Sequence, residues 1–305
     1  MLKNRKATRL YVAIATSLFL VGCSTTQPVA IEINGAKAVS IAAGQSASAN
    51  RVIALANGSA EIIAALGLKA NLIGRDIAST EEELKDIPIV TSGHQVVAEN
   101  ILKLNPDLVL IDDATGPLSA IQTLRDNGIR IVKVRQAWTL ADINLKITDI
   151  ATALGANSAG DLLSKEINSA LTELKQEDRN VRMLFLYLRG GNSIYLLGGA
   201  GSGADSLISA INCVDIGAGF SKDPFTPVNA EVLAELNPDV ILVMTKGLTS
   251  VGGVTGLQNL PGIAQTAAGK AGRVLAVDDS LLLSFGPRTP DLLKQMAASV
   301  DELTK

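Results

Sequence analysis

The stretch Ala98-Glu99-Asn100-Ile101-Leu102-Lys103-Leu104-Asn105-Pro106-Asp107-Leu108-Val109-Leu110 returns later in the chain. Its second copy is Ala230-Glu231-Val232-Leu233-Ala234-Glu235-Leu236-Asn237-Pro238-Asp239-Val240-Ile241-Leu242. The offset is 132 from Glu99 to Glu231 and from Pro106 to Pro238, with no gap. Each copy reads as a short helix, a stop at Asn-Pro-Asp and a wholly aliphatic strand. Proline ends the helix because it has no N–H and pushes the residue before it toward extended geometry. An unbroken aliphatic run is the pattern of a strand buried on both faces of a parallel sheet. Two matching α/β units half a chain apart predict two similar lobes. A cleft between lobes is where a small ligand most often sits.

Working outward, residues 51–55 open the first lobe as a strand. Asn57-Gly58-Ser59 is a turn and helix start, and Gly67 ends the helix that follows. Further strands are expected near 71–75, 88–91, 107–111 and 130–135, with helices near 98–104 and 116–126 between them. Ile143, Ile147, Ile150 and Leu154 then fall on one helical stripe, Gly155-Ala156-Asn157 interrupts it, and a second helix runs to about residue 176. The second lobe begins with strands at 183–188 and 194–197. Pro290 suits the first turn of a final helix. The expected class is α/β: two similar lobes with mostly parallel sheets, one long connecting helix and a cleft between them. The expected boundaries are a first lobe at 51–157, a connecting helix at 158–178 and a second lobe at 179–305.

The ends and the composition narrow the function. The chain has 305 residues, 47% hydrophobic and only 3% aromatic, and a net charge of −3. With no basic stripe beyond the first residues, nucleic acid is not an expected partner. Lys3, Arg5, Lys6 and Arg9 precede an apolar run at 11–21 that is short for a membrane span. It ends Leu20-Val21-Gly22-Cys23, which resembles the lipobox of bacterial lipoproteins. There the cysteine becomes the lipidated first residue, so 1–23 is read as a leader and 24–50 as a tether, with one added strand at 31–33. An ordinary signal peptide with a chance cysteine is the other reading. Cys213 then has no partner for a disulfide and reads as a buried small hydrophobe. No Cys/His cluster of structural-zinc type is present in the sequence.

Chemistry-bearing residues are few. His94 is the single histidine, on a loop after a short strand. Strand-end loops of open α/β sheets face the ligand crevice. Tyr187 and Arg189 stand two apart at the end of an apolar strand, hence on one face. A cation beside a tyrosine favours phenolate, and tyrosine is one of the side chains that ligate haem iron. A tyrosine merely capping a lobe edge accounts for the same pattern. The glycine-rich run 198–203, with Ser202 and Gly203, precedes a helix; it matches neither a dinucleotide-binding nor a P-loop fingerprint. Glu99 and Glu231 occupy equivalent first-turn positions, either as favourable helix-terminus charges or as a matched pair of acidic knobs.

Taken together, the lipobox, Arg-Val-Ile-Ala-Leu from Arg51, Glu-Ile-Ile-Ala-Ala-Leu-Gly from Glu61 and the repeat resemble the substrate-binding proteins of ABC importers for ferric siderophores, cobalamin and haem. The likeness covers roughly 50–305. It is nearest to the haem-binding lipoproteins through Thr91-Ser92-Gly93-His94, Asp113-Ala114-Thr115-Gly116-Pro117-Leu118, Leu186-Tyr187-Leu188-Arg189-Gly190, Gly201-Ser202-Gly203-Ala204-Asp205-Ser206-Leu207-Ile208 and Ser284-Phe285-Gly286-Pro287-Arg288-Thr289. This resemblance implies a non-enzymatic, monomeric, extracytoplasmic carrier, lipid-anchored to the membrane through Cys23, that hinges little. Its transported ligand would be haem, with His94 and Tyr187 as axial ligands to the iron and Arg189 behind the tyrosine. Its partners would be an ABC haem permease and its ATPase, met through Glu99 and Glu231. Arg288, Ser202 and Gly203 are expected toward the cleft, and the haem propionates would meet one of Arg75, Lys222, Lys246 or Arg288. A ferric siderophore or cobalamin is the alternative ligand, and an α/β enzyme using His94 the alternative class.

Overall fold

The computed structural model describes residues 30–174, 177–190 and 194–305. The leader and Cys23 lie outside the described residues. Strands are labelled β1 (Ile31–Ile33), β2 (Val52–Ala54), β3 (Leu72–Arg75), β4 (Thr91–Ser92), β5 (Gln95–Val96), β6 (Leu108–Ile111), β7 (Ile131–Lys133), β8 (Arg182–Arg189), β9 (Ile194–Gly198), β10 (Val214–Asp215), β11 (Phe225–Pro227), β12 (Val240–Met244) and β13 (Val274–Val277). One sheet runs β3-β2-β6-β7, all parallel. The other contains β10-β8-β12-β13, also parallel, extended by antiparallel β9 and β11. The repeat equates β6 with β12, and their neighbours β2 and β8 then correspond as well. Each lobe is therefore built on the same four-stranded parallel unit.

The Asn-Pro-Asp corner shows why the repeat is spelled as it is. Helices Ala98–Lys103 and Ala230–Leu236 are followed by Asn105 and Asn237, at φ 45° and 43°. Asparagine tolerates this left-handed turn better than most residues. Asp107 then accepts from the Asn50 and Arg51 amides at 2.8 and 3.1 Å, and Asp239 from the Arg182 amide at 3.0 Å. Arg51 donates back to the carbonyls of Asn105 and Leu104, and Arg182 to those of Asn237 and Leu236. The helix's orphan carbonyls are thus satisfied by the strand that the aspartate aligns. Asp239→Ala should lower stability by about 1–2 kcal/mol, the worth of a charge-assisted hydrogen bond at an exposed corner. Urea unfolding measures it, and an unchanged midpoint would remove the corner from the stability account.

Period-two burial decides where the core lies. In β8, Met183 and Phe185 belong to one apolar cluster and Leu184, Leu186 and Leu188 to another. In β6, Leu108 and Leu110 belong to that same first cluster, while Val109 and Ile111 face a third. The inner faces of both sheets therefore share one continuous core, completed by helices Leu140–Leu154, Asn157–Thr172 and Thr289–Leu303. Thr139 and Asp142 form a reciprocal cap on the first of these. Gly160 lets the next one approach, since a Cβ there would stand 2.6 Å from the Ala151 methyl.

Several expectations change. The two helices expected from sequence, Leu140–Leu154 and Asn157–Thr172, pack on each other, and the second leads toward the second sheet. That helix ends at Thr172, short of the expected 178, although Leu171 and Leu174 both pack against the core. Residues 30–49, read as tether, are built into the protein: β1 pairs in parallel with β13 at the edge of the second sheet, and the Ile41 amide donates to Ala65 O at 3.0 Å. Residues 88–91 form no full strand; a bridge from Ile89 to Arg75 leads into the β4–β5 hairpin.

Candidate functional site

The C-terminal ends of the parallel strands converge on one cleft, as open α/β sheets dictate. β2 runs out at Leu55 and Asn57, β6 at Asp112, β8 at Arg189, β12 at Met244 and Lys246, and β13 at Asp279. Two cavities of about 500 and 450 Å³ occupy this cleft. Both are bordered by His94 and Tyr187, and by Asn57 and Ala78. The larger lies toward the first lobe, against Leu55, Val96, Trp138 and Leu283. The other lies toward the second, against Arg189, Met244 and Lys246.

His94 is carried on the turn of the β4–β5 hairpin. Gly93 supplies φ 56° there, which makes the two-residue turn possible. The Val96 amide donates to Gly116 O at 2.8 Å and Thr91 Oγ1 accepts from the Ile77 amide at 3.2 Å, so the hairpin is fixed at both sides. Its imidazole is exposed. Nearby Asp76 is held above the usual carboxylate range by burial, against the pull of hydrogen bonds from Ser79 and Ala78 and of the His94 charge.

Tyr187 is half-buried near the end of β8, on the face of Met183 and Phe185. Its ring meets Phe225 edge-on, with centroids 5.7 Å apart and planes at 65°. Arg189 ends the strand and is exposed. Among the described residues no hydrogen bond or ion pair joins it to Tyr187.

Other expected cleft residues lie elsewhere. Arg288 is buried between Glu61 and Glu81, outside both cavities, and borders a separate one with Thr80, Glu81, Asp278 and Ser280. Ser202 is wholly buried, and Gly203 packs behind the wall, where a Cβ would touch Phe285, Leu283 and Trp138. Arg75 donates to the carbonyls of Ser79, Leu84 and Ile87, which organises a loop. Lys222 is exposed and borders neither cavity, whereas Lys246 borders the second. Cys213 is buried, its thiol pushed up to about 11 by burial.

Lys146 was not anticipated from sequence. It is fully buried at the floor of the larger cavity and donates to Ser284 O at 2.8 Å. Burial lowers its ammonium to about 8, although Glu61 and Asp112 pull the other way. The signal was present: Lys146 lies three residues from Ile143 and four from Ile150, on the buried stripe of its helix.

Glu99 and Glu231 are both exposed in the first turns of equivalent helices. Only the second helix has a side-chain cap, Asn229 Oδ1 accepting from the Val232 amide at 2.9 Å.

Comparison with known proteins adds the following. Residues 52–281 match the periplasmic binding protein family. The crystal structure of the heme binding protein HmuT is 35% identical, covers 90% of this chain and 98% of its own, and superposes with a TM-score of 0.78. Solved variants of that protein replace a histidine, a tyrosine, and an arginine two positions beyond the tyrosine, each with alanine. The periplasmic heme-binding protein RhuT from Roseiflexus sp. RS-1 is 32% identical over 85% of this chain and 100% of its own, with a TM-score of 0.76. An uncharacterized ABC transporter substrate-binding lipoprotein of Bacillus subtilis, YvrC, is 26% identical over 82% of this chain and 79% of its own.

Proposed function

Because the chain belongs to the periplasmic binding protein family, we propose that it is an extracytoplasmic carrier that captures ferric haem and delivers it to the permease and ATPase of an ABC importer. The observation that carries this reading is that His94 and Tyr187 border the same cleft, one from each lobe. Two donors suit a metal already held in a macrocycle, which leaves only axial positions open. An imidazole and a hard phenolate are both ligands that haem proteins use. Arg189 stands two residues from Tyr187, and this Tyr-x-Arg spacing is the one altered in the HmuT variants. The apolar walls at Leu55, Val96, Trp138 and Leu283 suit the porphyrin face. Arg189 and Lys246 offer exposed cations to its propionates.

The chain acts in this reading as a carrier, not as an enzyme. Cys23 anchors it by acylation, in keeping with the lipoprotein relative. No helix among the described residues is long and apolar enough to cross a membrane. Titration of the purified apoprotein with ferric haem tests the assignment. The expected result is a shifted Soret band that saturates at one haem per chain. No spectral change at micromolar concentrations, or tight binding of a ferric siderophore or cobalamin instead, would refute it.

Glu99 and Glu231 are read as the two contacts with the permease, since the repeat gives each lobe one exposed acid at the same place. Charge complementarity of this kind sets orientation and encounter rate. Reversing both to arginine should leave the haem titration unchanged and cut uptake in reconstituted vesicles by about tenfold or more. Undiminished uptake would leave them as helix-terminus charges.

A further inference from the structure

The lobes meet at a buried ion triad that ligand binding does not explain. The Arg288 amide donates to Glu61 Oε1 at 2.9 Å. Its Nη2 lies 3.1 Å from Glu61 Oε2 and 2.6 Å from Glu81 Oε1. Glu61 is 0% exposed, Arg288 8% and Glu81 9%. Glu81 Oε2 and Arg288 Nε have no partner among the described residues. Desolvating three charges is costly, and apolar side chains of similar volume are often as stable or more so. A triad of this kind therefore calls for a reason other than stability.

Its position supplies one. Glu61 and Glu81 belong to the first lobe, whereas Arg288 follows β13 of the second. The loop that carries Glu81 also carries Asp76 and Ala78, which line the cleft. The segment that carries Arg288 also carries Leu283, in the same cavity wall, and begins at Ser280, which borders the other cavity. Three hydrogen bonds run alongside: Thr80 Oγ1 to Ser280 Oγ at 3.0 Å, Asn57 Nδ2 to Leu283 O at 3.1 Å and Lys146 Nζ to Ser284 O at 2.8 Å. Between them Phe285, buried, holds φ at 45°, a conformation that a bulky side chain adopts only when its surroundings impose it.

We propose that Arg288 is a positioning residue: through Glu61 and Glu81 it sets the spacing between the wall that carries His94 and the wall that carries Tyr187. The effect on ligation rests on the haem-carrier reading; the cross-lobe tie does not. The tie also answers to protons. Glu81 faces Glu61, Asp76 and Arg288, and Arg288 faces Asp278 as well. Burial first, then Glu61, raises the Glu81 carboxyl to about 7. Acidification through neutrality thus removes the charge that grips Arg288 from the loop side.

The test uses the full chain with Arg288→Met, Arg288→Lys and Glu81→Gln, each checked for folding by circular dichroism. Amide hydrogen exchange without haem reads the tie: residues 76–82 and 278–289 should exchange about tenfold faster in the arginine variants, with β6 and β12 unchanged. Ferric haem titration reads positioning. Arg288→Met should bind about tenfold more weakly and shift the spectrum toward a form lacking one axial ligand, and Arg288→Lys should recover part of both. The unmodified protein should change its axial ligation as pH falls through about 7, where Glu81 takes up its proton, and Glu81→Gln should abolish that change. Unaltered exchange in both arginine variants would overturn the tie. Faster exchange with unaltered haem affinity, spectrum and pH profile would overturn positioning. If Arg288→Met does not fold, Arg288→Lys and Glu81→Gln decide by the same readouts. If the unmodified protein binds no haem, the carrier reading falls and exchange alone decides the tie.

Discussion

Combining His94→Ala with Tyr187→Phe is expected to weaken ferric haem binding at least a thousandfold, a loss of about 4 kcal/mol. Both axial donors disappear while the apolar walls that hold the ring remain, so residual binding should be weak and spectrally like haem in an inert pocket. Either single change leaves one iron–ligand bond and should shift the Soret band with a smaller loss of affinity. Neither change removes core packing: His94 is exposed on a hairpin turn, and Tyr187, which packs against the core, keeps its ring and its edge contact with Phe225 as phenylalanine. Thermal unfolding of the double variant without haem should therefore match the parent. A double variant with unchanged affinity and spectrum would remove both residues from the site.

Stability should pass through a minimum between about pH 7 and 8. Glu81 is raised from 4.5 to about 7 in the folded protein, chiefly by burial. Between those values the fold holds a proton that the unfolded chain has lost, so stability falls as pH rises from 4.5 to 7. Lys146 is lowered from 10.5 to about 8, again chiefly by burial. Between 8 and 10.5 the unfolded chain holds the extra proton, so stability rises with pH from 8, and Cys213, which burial raises from 9 to about 11, opposes the rise above 9. Each limb is worth on the order of 3 kcal/mol at most. Asp215, which burial pushes up to about 6, adds to the acid limb in the same sense. Melting temperature against pH should show the minimum, with the acid limb reduced in Glu81→Gln and the alkaline limb absent in Lys146→Met. A flat profile in the parent, or unchanged limbs in the variants, would show that these groups do not pay the desolvation their burial implies.

What could be read from sequence divides along physical lines. The repeat announced two α/β units because its stop signal is local: an asparagine that tolerates a left-handed turn, a proline that cannot continue a helix, and an aspartate that starts the next strand. The cleft could be inferred because strand-end loops follow from topology. His94 and Tyr187 stood out as the lone histidine and as one of few aromatics, and the structure brings both to the cleft. Arg288 was misplaced because nothing local distinguishes an arginine facing solvent from one held by glutamates more than 200 residues away. Pairing of that kind is visible only when Glu61 and Glu81 are seen to face it. Residues 31–33 were legible as a strand but not as a partner of β13, since strand propensity says nothing about which sheet receives a strand. Lys146 was less legible because a lysine flanked by apolar stripe positions ordinarily reaches solvent with its ammonium, and only the fold shows this one enclosed.

The pairing of β1 with β13 has a mechanical corollary for a lipid-anchored chain. If Cys23 carries the acyl groups, only residues 24–29 separate it from the first described residue, Ala30. Six residues span at most about 20 Å whatever path they take. The leash is therefore short, and it is fastened at one edge of the second sheet rather than midway between the lobes. Such a molecule cannot roam far from the bilayer. It would pivot about that edge, sweeping its cleft over a small patch of membrane, and its meetings with a permease would be governed by lateral diffusion and tilt more than by its concentration in the surrounding fluid.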